Sequence, residues 1–137
     1  MSIFSAIDIS SSGMTAQQLR VDVISNNIAN ANTTQTPEGG PYRKEIPIFA
    51  EQFKSTTSGI EPAGVAVVKI AQDNAPFRLV YDPSNPQANK DGYVEMPNVN
   101  VLREMVDMID AQRNYEANAT VINDAKTMAN AALQIGK

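Results

Sequence analysis

NVNVLREMVDMIDAQRNYEANATVINDAKTMANAALQIGK, residues 98–137, carries apolar side chains at one helical period almost to its end. Val101, Met108, Tyr115, Ile122 and Ala129 recur every seventh residue, and Met105, Ala111, Ala119, Ala125, Ala132 and Leu133 fill adjoining positions. That spacing predicts one continuous stripe on a long helix, broadened at its start by Leu102, Val106 and Ile109. Asn98 or Asn100 suits the N-cap, Pro97 stops anything helical before it, and Gly136 suits the C-terminal cap. A helix of this length spans about 50 Å, more than a small domain can cover, so much of it needs partners. Ala, Met and Tyr stand where a strong zipper has Leu and Ile, and Gln112, Asn118 and Lys126 interrupt the stripe. Small side chains allow close backbone approach and Met tolerates varied neighbours, which suits a helix packed against several others.

Outward from this stretch, a second heptad runs from Phe4 to Asn32, with Ile7, Met14, Val21 and Ile28 every seventh residue and Ile3, Ile24 and Ala31 beside them. Ser10, Ser11, Ser12 and Gly13 make it a weak helix, the glycine alone costing about 1 kcal/mol relative to Ala, so packing must hold it. Two stripes at the termini predict an antiparallel pair. The expected organisation is one discontinuous helical domain, residues 1–33 and 97–137, with residues 34–96 inserted as loop and β-hairpin. The insertion opens on a Gly- and Pro-rich loop, Thr34–Pro41. Tyr42–Phe49 is an edge segment broken by Pro47, Lys54–Gly64 a polar and mobile connection, and Gly64–Ala71 the best strand. Phe77–Tyr81 is expected to pair back on that strand, before the double turn Asp82–Pro86. The fold class predicted is mainly α: two long terminal helices paired as a coiled-coil-like stem, with a small irregular β-rich insertion.

Composition excludes several functions. The 137 residues carry 42% hydrophobic and 6% aromatic side chains and a net charge of −4, with no basic patch to neutralise phosphates, which argues against a nucleic-acid binder. Without Cys there is no disulfide or thiolate metal site, and without His the commonest general base and metal ligand is missing. The N-terminus lacks the basic and apolar regions of a cleaved secretory signal, and no run is long enough to span a membrane.

Three local patterns have two readings each. Asn26, Asn27, Asn30 and Asn32 crowd the end of the first helix. They either cap free carbonyls or cross-link that helix end to its neighbours and set register. Glu104, Asp107 and Asp110 on the last helix read as a solvated or partner-facing face, with Asp107 within reach of Arg103; no base, ligand or nucleophile completes a catalytic set. Arg43 and Lys44 read as a solvated pair on a strand, or else as a contact to an acidic neighbour or an anionic polymer. No catalytic, cofactor-binding or metal-binding residue is assigned.

Leu19 followed by SNNIANANT (25–33) resembles the N-terminal signature of bacterial flagellar axial proteins, the rod and hook family. GPYRKEIPIF (40–49), VYDPSNPQANKDGYVEMPNVNVLREMVDMIDAQRNYEAN (80–118) and the closing helix are similar to its proximal-rod members, so the resemblance covers nearly the whole chain. It implies a non-enzymatic structural subunit of the basal-body rod. Such a subunit passes through the flagellar type III export apparatus without a cleaved signal. It stacks helically through its terminal helices into the periplasmic drive shaft and the wall of its channel. Implied partners are further copies, other rod proteins and components near the MS ring. The subunit contacts implied are Leu19, Asn26, Asn27, Ile28, Ala29 and Asn30 in the first helix and Met105, Met108, Tyr115 and Ile122 in the last. The alternative is a soluble helical adaptor or secretion-associated binding protein that presents its terminal stripe to one partner.

Overall fold

The computed structural model describes residues 3–56 and 59–135. Two helices, α1 (Ile3–Ala29) and α2 (Val101–Ile135), bracket four strands, β1 (Glu45–Thr56), β2 (Gly59–Gln72), β3 (Arg78–Tyr81) and β4 (Tyr93–Met96). The cap expected at Gly136 lies outside the described residues, as does the side chain of Ile3. Asn100 is the N-cap of α2: its side chain accepts the Arg103 N–H at 3.2 Å and its carbonyl the Glu104 N–H at 3.0 Å.

The helices run antiparallel, with Asn27 opposite Glu104, Arg20 opposite Asp107 and Gly13 against Asn118. A Cβ at Gly13 would lie 2.9 Å from Asn118 Nδ2, so the glycine that weakens α1 is what admits the asparagine of α2. Carried ten residues further, this register puts Met128 level with the start of α1. The last turns of α2 overhang, leaving Met128 and Leu133 exposed.

A mainly α, coiled-coil-like stem is not what the chain forms. Of the described residues 47% are helical and 26% lie in strands, an α/β mixture. The helix contact is also too polar and too narrow for a zipper. Buried on α1 are Ser10, Ala16, Val23, Ile24 and Asn27, with Ala31 buried in the turn just after it, while the expected heptad Ile7, Met14, Val21 and Ile28 is only half-buried. On α2 the buried positions are Glu104, Ala111 and Ala125, with Asn118 half-buried on the same line. α1 divides its surface between α2 and the β1–β2 hairpin, so neither partner receives a full a/d seam.

That hairpin is the larger departure from expectation. Of the Lys54–Gly64 stretch read as a mobile connection, every described residue belongs to β1 or β2, and the pairing runs from Glu45↔Gln72 to Thr56↔Gly59. Prolines do not stop it, because a two-stranded ribbon has an unpaired edge on each strand that needs no N–H. Two register shifts leave one extra residue in β2 each, Val68 and Ala63, the latter beside Pro62. At Gly64, φ is +113 and β2 passes close over α1. There the Ser12 hydroxyl donates to the Ile9 carbonyl at 2.7 Å and accepts the Val65 N–H at 3.1 Å, pinning the ribbon to the helix.

β3 also differs: it pairs with β4, Arg78↔Met96 to Tyr81↔Tyr93, and not with β2. The loop between them is built to turn back on itself. Asp82, Asn85 and Asn89 each accept a backbone N–H two residues on, from Ser84, Gln87 and Asp91, and Asn89 also accepts that of Tyr93.

Candidate functional site

Two kinds of surface bear on function: a buried polar junction where the elements meet, and apolar faces that meet nothing. The junction forms around Asn27, which is 1% exposed. Its side-chain amide donates to Glu104 Oε2 and to the Glu45 carbonyl, both at 2.9 Å. Its carbonyl oxygen accepts the Tyr42 hydroxyl and the Glu45 N–H, again both at 2.9 Å. All four bonding positions of the amide are thus filled.

Glu104, also 1% exposed, sits in the first turn of α2, where the helix dipole favours a carboxylate. Its Oε1 is paired with the Lys44 ammonium. Tyr42 lies between Asn27 and Asn26, which donates to its hydroxyl at 3.2 Å. Burial, with the nearby Glu45 and Glu104 carboxylates adding to it, pushes this phenol up to about 12 from the ordinary 10.0, against a small lowering by Asn26. Asn98, just ahead of α2, accepts the Lys44 N–H at 2.8 Å and donates to the Asp73 and Ala75 carbonyls at 3.1 and 3.2 Å. Arg43 reaches the Asp73 carbonyl at 3.0 Å with its guanidinium 4.3 Å from the centre of the Phe77 ring. The arm 42–45 is therefore bonded on both sides, and the solvated-pair reading of Arg43 and Lys44 gives way to the acidic-neighbour reading, with Glu104 the neighbour of Lys44. Asp107 pairs with Arg20 at 3.5 Å, not with Arg103.

The residues implied as contacts separate into groups. Asn26, Asn27 and Asn30 form one network, Asn30 donating back to the Asn26 carbonyl and side-chain oxygen, both at 3.0 Å. Both sequence readings of the asparagine run are realised, since Asn30 serves the helix end and Asn27 cross-links elements. Met108, Tyr115 and Ile122 are half-buried along the α1-facing side of α2, Tyr115 lining a shallow cleft with Ser11, Met14, Thr15 and Gln18. Leu19 and Ile28 are half-buried, Ala29 and Met105 exposed.

Met105 is part of a larger outward row. Val101, Leu102, Met105, Val106 and Ile109 follow helical spacing on the first turns of α2, and Leu102 is 73% exposed. A second apolar face lies on the hairpin, where Phe49, Phe53, Ile60 and Ile70 share the side set by the pairings Pro47↔Ile70, Phe49↔Val67 and Ser55↔Ile60. Such clustered exposure marks contact surfaces. Leu102, Val106 and Ile109 were expected merely to broaden the stripe. Glu104 was missed as a buried residue, although it stands one heptad before Ala111 and so on the buried line. Among the described residues no acidic or histidine cluster could hold a metal ion, and no helix is long and apolar enough to cross a membrane.

A family model described as flagella basal body rod protein matches residues 7–35, and one described as flagellar basal body rod FlgEFG protein C-terminal matches residues 90–135. The two matches fall on α1 and on β4 with α2, leaving the long hairpin between them. Relatives align along the whole chain. The flagellar basal-body rod protein FlgC of Borreliella burgdorferi is 49% identical over 98% of both chains. Those of Bacillus subtilis and Escherichia coli O6:H1 are 43% and 39% identical over 100% of both.

Proposed function

The chain belongs to the FlgC family of flagellar basal-body rod proteins, and from that membership we propose how it works as a subunit. It is a structural subunit of the flagellar basal-body rod. In the proposed arrangement it reaches the proximal rod by the flagellar type III export apparatus and stacks helically there with further copies, other rod proteins and components near the MS ring. Residues 1–33 and 97–137 act as the packing domain that forms the wall of the periplasmic shaft and its channel, and residues 34–96 project from it. Its work is mechanical, carrying torque through packing, with no reaction catalysed.

The observation that carries this reading is the outward row Val101, Leu102, Met105, Val106 and Ile109, too apolar to be left in water and placed where Met105 and the exposed Ala29 can meet a neighbour. An overhanging α2 end opposite an uncovered α2 start is a head-to-tail geometry, which extends into open assemblies. Asn27, Met108, Tyr115 and Ile122 support the contact by holding the helix pair in shape.

Leu102→Glu with Val106→Glu tests it. Both side chains are exposed, so the purified variant keeps its circular dichroism and melting temperature. Cells whose only copy is this variant do not swim and yield no intact rods in electron micrographs of basal bodies. Normal swimming with a folded, expressed double variant overturns the assignment of this face.

A further inference from the structure

The β1–β2 hairpin leaves one of its faces uncovered. A Cβ added at Gly64 would point at Ser12 and Ile9 of α1, so the side of the ribbon that carries Gly64 and Ala66 lies toward the helix and the alternate side points away. That outer side holds Phe49 opposite Val67, Glu51 opposite Val65 and Phe53 opposite Pro62, and Phe53 is 59% exposed. The ribbon's edges are poor templates for a further strand. Pro47 and Pro62 interrupt the backbone donors, and the bulges at Val68 and Ala63 twist β2. What covers the apolar face therefore lies across it and not beside it. Two strands about 5 Å apart present a face about 10 Å wide, the diameter of one helix.

We infer that this face receives the first turns of the C-terminal helix of a different rod protein, a neighbour in the shaft that carries the same kind of segment as residues 90–135; the inference rests on the rod reading above. The model matched by those residues is that of the FlgEFG proteins, so the segment is not peculiar to FlgC. What such a segment displays is seen in α2: the apolar row from Val101 to Ile109, with Arg103 beside Leu102 and Arg113 one turn beyond Ile109, both exposed. The lengths agree, since Phe49 to Phe53 spans about 13 Å of strand and Val101 to Ile109 about 12 Å of helix. The charges agree as well. Glu51 stands among the apolar side chains of the ribbon without a cation, and neither Arg103 nor Arg113 has an acid, among the described residues. The chain's own α2 is not the cover, because it packs on α1 and reaches neither β1 nor β2. Two complementary faces on copies of one chain would propagate that chain without end. Meeting the helix of a different rod protein instead hands the shaft on from one kind of subunit to the next.

Intact basal bodies test it, because the contact exists only in the assembled shaft. Cells carry, as their only copy, the chain with Phe53 replaced by the photoreactive residue p-benzoylphenylalanine; their basal bodies are isolated and irradiated, and the linked peptides are mapped by mass spectrometry. The expected link joins position 53 to the first turns of the C-terminal helix of another rod protein. The same replacement at Lys54, on the opposite side of the ribbon, gives no such link. Ile60, nearer the tip on the outer side, carries the photoreactive residue in a second variant, which decides the matter if the first is not incorporated. Links from the outer side to a second copy of this chain, to any other part of a rod protein or to a protein outside the rod overturn the docking. So does the lack of any link in basal bodies that contain the chain. Failure of the rod reading shows itself separately: the native chain is then missing from isolated basal bodies, and this inference falls with it.

Discussion

Replacing Gly64 by alanine puts the docking of the hairpin on α1 under direct stress. The backbone there has φ +113, and an added Cβ would collide with Ser12 Oγ, lying 3.0 Å from Ser12 Cβ and 3.4 Å from Ile9 Cα. Ser12 cannot swing aside without losing its bonds to the Ile9 carbonyl and the Val65 N–H. A side chain at this φ costs about 1–3 kcal/mol, a lost hydrogen bond about 1 kcal/mol, and overpacking about 1 kcal/mol or more. The sum is roughly 4 kcal/mol. Gly39 supplies the control, because its φ is +92 and nothing lies within 4 Å of its missing Cβ. Gly39→Ala therefore carries only the backbone cost, about 1–2 kcal/mol. In urea unfolding followed by circular dichroism, with a slope of about 2 kcal/mol per molar, Gly64→Ala lowers the midpoint by about 2 M and Gly39→Ala by under about 1 M. In a Ser12→Ala background the collision with Oγ is gone, and Gly64→Ala costs about 1 kcal/mol less than in the native one. Equal costs at positions 64 and 39 would refute the close approach of β2 to α1.

Two other perturbations probe the helix pair and the junction. Gly13→Leu forces a branched side chain against Asn118, which stands 2.9 Å from where even a Cβ would be, and lowers stability by about 2 kcal/mol despite better helix propensity; adding Asn118→Ala restores part of it, and thermal melts of the three variants measure the recovery. Tyr42 holds its proton up to about 12 in the folded chain against 10.0 in the ordinary phenol. Between those values the folded state binds more protons than the unfolded one, so this contribution to stability is fully present below pH 10 and lost as pH rises toward 12. Urea unfolding at a series of alkaline pH values reads that loss, which Tyr42→Phe removes; identical pH slopes for the two proteins would show that the phenol is not held as described.

How far the residues could be read in advance differs from element to element. The antiparallel helices follow from two apolar periods at the termini, because an amphipathic helix announces itself in eighteen or so residues of local pattern. Their contact line did not follow, since Ser10, Gly13, Asn27, Glu104 and Asn118 look like interruptions of a stripe and turn out to lie along it. A buried polar side chain is recognisable only once its partner is placed, and Glu104 has its partners in Lys44 and Asn27. The hairpin was misread for a related reason. Lys54–Gly64 has the glycines, proline and charges of a loop, but each strand of a two-stranded ribbon tolerates them at an unpaired edge or a bulge. Likewise Phe77–Tyr81 had two strands within reach, and the Asx turns of Asp82, Asn85 and Asn89 delivered it to β4.

The sequence by itself determined the two terminal helices, the β-rich stretch between them, the lack of cysteine and histidine chemistry, and, through its signature motifs, the family. All of these rest on local periods, composition or contiguous residues. Only the tertiary structure decided which residues are internal and which face outward. Asn27 is turned into the molecule and Leu102 away from it, because the third direction around each helix depends on where a hairpin pinned at Ser12 and an arm clasped by Glu104 come to lie. Burial is a property of the assembled elements, and no period along the chain contains it.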